Sequence, residues 1–119
     1  MGSLDNSVAS VLLRAAWRIR RGFTTGCLAR DADGRPVDPT SSLAVAWCAE
    51  GAVAAEAESP AVAEAAVRAA CAAAGLPADG LTRWNDAAAR DEEQVARLLE
   101  RGSHLTVAED LGYHPGRAA

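Results

Sequence analysis

Apolar residues recur at helical spacing from the start of the chain. Val8, Leu12, Ala15, Ala16 and Ile19 predict a first helix, capped by Asp5 or Ser7, that ends near Arg21 and is stopped by Gly22. The pattern then changes. Phe23-Thr24-Thr25-Gly26-Cys27-Leu28-Ala29-Arg30 reads as a strand and Asp31-Ala32-Asp33-Gly34 as a turn. Arg35-Pro36-Val37 reads as the return of a hairpin, with Pro36 confining it to an edge. Thr40 or Ser41 is expected to cap a second helix carrying Leu43, Trp47, Cys48, Gly51, Ala52 and Ala55. Ser59-Pro60, a cap followed by proline at the first helical position, opens a third helix that runs to Ala74 and stops at Gly75. Leu81-Thr82-Arg83-Trp84 reads as a short helical turn. Asp91 and Gln94 form a capping box for a last helix to about Arg101, with Val95, Leu98 and Leu99 inward. The expectation is a mainly α (α+β) fold, a small four-helix domain with a short β-hairpin between helices 1 and 2. Residues 1–102 form one compact domain. Residues 103–119, with His104, Thr106, Tyr113 and His114, form a tail that is disordered or docks on a neighbour.

Composition sharpens this picture. The chain has 119 residues, the length of one domain, and half of them are hydrophobic, with alanine about half of those. The few large side chains should therefore carry much of the stability, and Trp17, Trp47, Trp84, Leu12, Leu43, Leu81 and Leu98 are the expected core anchors. All twelve basic residues are arginine. With the alanine excess this points to a GC-rich, actinobacterial-like genome, and the lack of lysine excludes Schiff-base chemistry and a P-loop. A net charge of −4 argues against general nucleic-acid binding. No apolar run is long enough for a bilayer, and the amino-terminal residues lack the layout of a signal peptide, so a cytoplasmic location is expected. Cys27, Cys48 and Cys71 are three free thiols on this reading, none in a CxxC pair. Asp31, Asp33 and Asp38 form a polar turn that lacks the terminal Glu of a calcium loop. No metal and no cofactor is expected.

Two tryptophan-led clusters stand out from the alanine background: Trp47-Cys48-Ala49-Glu50-Gly51-Ala52 and Trp84-Asn85-Asp86-Ala87. They are expected to meet in space and to mark the site, if there is one. Cys48 and Asp86 are the catalytic candidates there, as nucleophile and acid or base. Trp47, Glu50, Trp84, Asn85 and Arg30 are the ligand-binding candidates. Each has a plainer reading. Cys48 is also a small buried thiol at a packing contact. Asn85 and Asp86 also suit turns and caps, where they satisfy backbone amides or pair with Arg30 or Arg90. Glu50 also suits a solvated helix face. Two turns into a second helix, Cys48 would lie away from the positive end of the helix that activates thiols. Arg14, Arg18 and Arg21 form a stripe on helix 1, either solvated or facing an anion or an acidic partner.

By its second tryptophan cluster the chain resembles an uncharacterised family of small bacterial and phage proteins. The shared marks are Ala29-Arg30-Asp31-Ala32-Asp33-Gly34, Pro36-Val37-Asp38-Pro39, Trp47-Cys48-Ala49 and Trp84-Asn85-Asp86-Ala87, within residues 8–102. The resemblance implies a small helical domain with a hairpin and brings no activity with it. This chain departs from the pattern at Glu50, where the family commonly has an apolar residue, and at Ala88-Ala89, where it has Pro-Gly.

The leading expectation is a non-catalytic domain that binds a small molecule or a partner protein, with a homodimer as one way of covering alanine faces. The alternative is a small cofactor-free enzyme of specialised metabolism, with a pocket between Trp47-Cys48 and Trp84-Asn85-Asp86. A third class is a phage-related regulator that uses the arginine stripe.

Overall fold

In the computed structural model, which describes residues 7–87 and 90–110, five helices pack together with a two-stranded antiparallel ribbon to one side. The helices are α1 (Val8–Arg21), α2 (Ala49–Glu56), α3 (Pro60–Ala74), α4 (Leu81–Asn85) and α5 (Glu92–Asp110), and the strands are β1 (Ala29–Arg30) and β2 (Ala46–Trp47). Ser7 caps α1, its side chain accepting from the Ser10 amide at 3.2 Å. Ser59 does the same for α3, followed by Pro60. Gly75 ends α3 in the left-handed conformation, φ 69°, which glycine adopts without steric cost. The Asp91–Gln94 capping box forms in both directions, at 2.8 and 2.9 Å.

Helix α1 packs against α5, α2 and α3, and α3 against α5. Val11, Leu12, Ala15, Ala16 and Ile19 of α1 join Ala52, Val53, Ala66, Ala70, Cys71, Leu81, Val95, Ala96 and Leu99 in one core. Because alanine contributes so little bulk, the backbones must come close for dispersion to accumulate. Gly102 of α5 seats on α3 in this way: a Cβ there would lie 3.2 Å from Ala70 Cα. Next to it Ser103, buried, donates to the Ala9 carbonyl at 2.7 Å.

The fold class matches the expectation, while several elements are placed differently. The strand expected over residues 23–30 pairs at its two ends and not between them: Phe23 bridges Trp47, and Ala29–Arg30 form β1. The expected return at residues 35–37 is present as a short ladder: Arg30 bridges Pro36, the Asp31 amide donates to the Arg35 carbonyl at 2.9 Å and the Val37 amide to the Ala29 carbonyl at 3.0 Å. The end at Ala29–Arg30 also takes a second partner that was not expected, Ala46–Trp47, with Ala29 opposite Trp47. Residues 40–47 are not helical. Asp38 accepts from the Thr40 amide at 2.8 Å and the Thr40 hydroxyl at 2.6 Å, and Ser41 Oγ accepts from the Leu43 amide. Such local bonds offer the backbone an alternative to the helix. Helix α2 therefore starts at Ala49. Helix α5 continues past Arg101 to Asp110, taking in the first residues of the expected tail, and Thr106 donates back to the Gly102 carbonyl within the helix at 2.8 Å. Tyr113 and His114 lie outside the described residues.

Two expected core anchors are on the surface. Trp17 is 71% exposed, because the buried stripe of α1 turns position 17 outward, and Leu43 is 64% exposed in the Ser41 turn. Trp84 is half-buried. On the solvent side of the α1–α5 contact, Arg20 holds Glu93 and Glu100. The hydrogen bond from Arg20 pulls the Glu93 carboxyl down to about 2. These side chains are exposed, so the network contributes modestly to stability. Among the described residues no helix is long and apolar enough to cross a membrane.

Candidate functional site

The two tryptophan-led signatures meet at the amino-terminal end of α2, and Asn85 joins them. Its Oδ1 accepts from the Ala49 amide at 2.8 Å, and its Nδ2 donates to the Thr24 carbonyl at 3.3 Å and to Asp86 Oδ1 at 3.0 Å. Asp86 Oδ1 also accepts from the Gly26 amide at 3.2 Å. Asn85 is fully buried, and among the described residues no buried side-chain nitrogen or oxygen is left without a partner. Thr82 adds a second link from α4, donating to Glu50 Oε2 at 2.8 Å. Arg30 binds neither Asn85 nor Asp86. It spans Thr24 Oγ1, the Thr25 carbonyl and the Gly34 carbonyl at 2.8, 2.9 and 3.0 Å, and so holds the two loops beside β1 together.

Cys48 is the residue whose surroundings differ most from the sequence expectation. Rather than lying two turns inside a helix, it is the N-cap of α2. Its Sγ accepts from the Gly51 amide at 3.3 Å. A thiol at a helix start is the arrangement that lowers a pKa when the group is accessible. Here the group is 2% exposed, and burial pushes the Cys48 pKa up, outweighing the pull of the Gly51 amide. Cys71 is buried and raised in the same way, while Cys27 is only partly covered. The expected result with a thiol reagent at neutral pH is fast modification of Cys27. Cys48 and Cys71 should react only at the rate of global opening, read as mass increments against time. Fast labelling of Cys48 in the folded chain would contradict this assignment.

The indole rings themselves diverge. Trp47 is buried, donates from Nε1 to the Pro39 carbonyl at 3.0 Å, and is covered by the Arg18 guanidinium, 4.5 Å from the ring centroid. Trp84 lies under Arg90, whose guanidinium is 4.1 Å from the ring centroid and whose Nε donates to the Trp84 carbonyl at 3.0 Å. Trp84 forms a wall between two clefts. One, of about 340 Å³, is lined by Trp84, Arg90, Gln94, Arg97, Leu98 and Arg101 with the end of α3. The other, of about 480 Å³, is lined by Leu76, Pro77, Asp79, Gly80, Arg83 and Trp84. Glu50 opens on a third cleft beside Glu64, Arg68 and Asp79. Cys48, Asn85 and Asp86 line none of these three.

Electrostatics single out the first cleft. Every ionisable side chain lining it is an arginine, on a chain of net charge −4. Arg97 shares Glu93 with Arg20, and Arg101 makes no ion pair among the described residues. Gln94 uses its Oε1 in the capping box and keeps its amide NH2 as a donor. The signal for this set is present in the sequence: positions 90, 94, 97 and 101 follow helical spacing. Only the placement of Trp84 beside them shows what that face is for. Among the described residues no group of three or more His, Cys, Asp or Glu is arranged to hold a metal ion.

A family model described as a family of unknown function, DUF6197, matches residues 3–105. No curated protein and no solved structure matches the chain.

Proposed function

We propose, from the premise that the chain belongs to this family of unknown function, that it is a non-catalytic binding domain for a small organic anion, held in the cleft walled by Trp84. The observation that carries the reading is the cleft's lining of three arginines and an indole without a carboxylate. A volume of about 340 Å³ suits a small molecule. Arg97 and Arg101 offer charge-assisted hydrogen bonds to a carboxylate or phosphate. The stacked Arg90–Trp84 pair offers a flat surface to the rest of the ligand. The enzyme alternative draws no comparable support. The Cys48 thiol is buried, raised in pKa and already used as a cap, and Asn85 has its hydrogen-bonding groups committed to the backbone and to Asp86.

The test is a titration of the whole chain with benzoate, inorganic phosphate and benzyl alcohol, read by tryptophan fluorescence in a Trp17→Phe background, which leaves the buried Trp47 and the half-buried Trp84 at the cleft. Benzoate should bind more tightly than phosphate, which lacks the flat body, and benzyl alcohol, which lacks the charge, should not bind. The double substitution Arg97→Gln, Arg101→Gln should weaken benzoate at least tenfold. Each lost charge-assisted bond is worth about 1.5–3 kcal/mol, and tenfold corresponds to about 1.4 kcal/mol. Equal binding of benzyl alcohol, or an unaffected double variant, would sink the proposal.

A further inference from the structure

The outer face of α1 carries a feature that the Trp84 cleft does not use. Trp17 is 71% exposed, and Leu13, one turn earlier, is 39% exposed. Single exposed apolar residues are ordinary on protein surfaces. This pair is different because it shares a cleft of about 310 Å³ with Arg14, Arg18, Arg21 and Glu56. Glu56, at the end of α2, pairs with Arg14 at 3.1 Å and Arg18 at 2.6 Å. Among the described residues the cleft is lined by three guanidinium groups and one carboxylate, on an acidic protein. Arg21 makes no ion pair or hydrogen bond among the described residues. Indole and guanidinium together on one exposed surface are the side chains that dominate protein interfaces.

We propose that this face docks an acidic segment of a partner protein. An aromatic or branched aliphatic side chain of the segment sits against Trp17 and Leu13, and its carboxylates meet Arg21. Charge decides among the occupants. A second copy related by a two-fold axis through this face would set Arg14, Arg18 and Arg21 of one copy against the same residues of the other, and like charges in a shared interface are costly. A nucleic acid is a regular run of phosphates and needs a line of free cations, whereas on this face Arg18 is held by Glu56 and Arg21 alone of the lining arginines is without an ion pair among the described residues. An acidic polypeptide meets the free charge and covers the indole as well.

The experiment uses the full chain, with the indole N–H resonance of Trp17 assigned by Trp17→Phe. Three short synthetic peptides are titrated: one of Glu residues around a central Phe, the same with Lys for Glu, and the same with Ser for Phe. The Glu–Phe peptide alone should shift the Trp17 resonance, with an affinity that falls as salt is raised. Trp17→Ala and Arg21→Glu should each weaken it at least tenfold while leaving the melting curve in place, since both side chains are exposed. A Glu–Phe peptide that leaves Trp17 unmoved, or a Lys peptide that binds equally, overturns the proposal. So does a Trp17 resonance that moves on dilution of the chain alone, which would give the face to a second copy. The Trp84 cleft reading stands or falls separately, because neither variant here touches its lining.

Discussion

Gly51→Ala should unfold the domain or come close to it, although helix propensity favours alanine over glycine by about 1 kcal/mol. Gly51 lies in the first turn of α2, where a Cβ would fall 1.9 Å from the Leu28 carbonyl oxygen and 2.7 Å from its carbonyl carbon. Those are backbone atoms, and they are held. The Leu28 carbonyl accepts from the Cys48 amide at 3.1 Å, and the next residue, Ala29, pairs with Trp47. To admit a methyl group, the chain must break the Cys48–Leu28 bond and move β1 off β2. Overpacking of this kind costs about 3 kcal/mol or more, which in a domain of this size lowers the melting temperature by roughly 10 °C. Gly102→Ala supplies the comparison. Its Cβ would lie 3.2 Å from its nearest neighbours, one of them the mobile end of Leu12, so a smaller loss is expected. Urea unfolding of both variants decides the matter. A Gly51→Ala chain as stable as the parent would mean that α2 does not approach the Leu28 backbone, and the junction of the two signatures would have to be redrawn.

The contrast between propensity and packing at Gly51 also explains which parts of the molecule were legible in its sequence. Helix ends set by a cap that stays local were, although the start expected at Thr40 or Ser41 and the end expected near Arg101 were not. Ser7, Ser59-Pro60, Gly75 and the Asp91–Gln94 box all do what their chemistry predicts. Nor was the pairing of Trp47. Trp47 sits between two partners far from it in sequence: its amide donates to Gly22, its carbonyl accepts from Thr24, and Ala29 lies opposite. Pairing of that kind is decided by tertiary contacts. The same pairing sets the start of α2, and so it decides that Cys48 is a cap and not a mid-helix residue. Trp17 is a different case. Its size suggested the core, but the apolar stripe at positions 8, 12, 15, 16 and 19 already turns position 17 outward, and periodicity outweighs residue type. For the site, the meeting of the two signatures was legible from their unusual composition. The cleft on the far side of Trp84 was not, because it depends on where a short helix sets one ring against the arginines of α5.

Asn85 provides the second large effect, and its two substitutions separate two physical causes. Asn85→Ala removes the acceptor for the Ala49 amide and the donor to the Thr24 carbonyl in a fully buried place. Each buried group left without a partner costs about 1–3 kcal/mol, so a loss of about 3 kcal/mol is expected. Asn85→Asp keeps an acceptor for Ala49 but loses the donor, and at neutral pH it buries a carboxylate next to Asp86. Burial and the neighbouring acid both favour the protonated form, so the introduced carboxyl has a folded pKa above its unfolded one. By linkage, its stability contribution is present below the unfolded pKa and is lost as pH rises through the folded pKa. The difference between parent and Asn85→Asp should therefore be small near pH 4 and grow towards pH 7, whereas the difference for Asn85→Ala stays flat. Taking differences removes the acid sensitivity of the Arg20–Glu93 pair, which all three chains share. Chemical denaturation at a series of pH values measures this. A flat profile for Asn85→Asp would show that the side chain at position 85 meets water, and the hydrogen bonds that tie Trp84 and its arginine-lined cleft to the start of α2 would not be the ones assigned here.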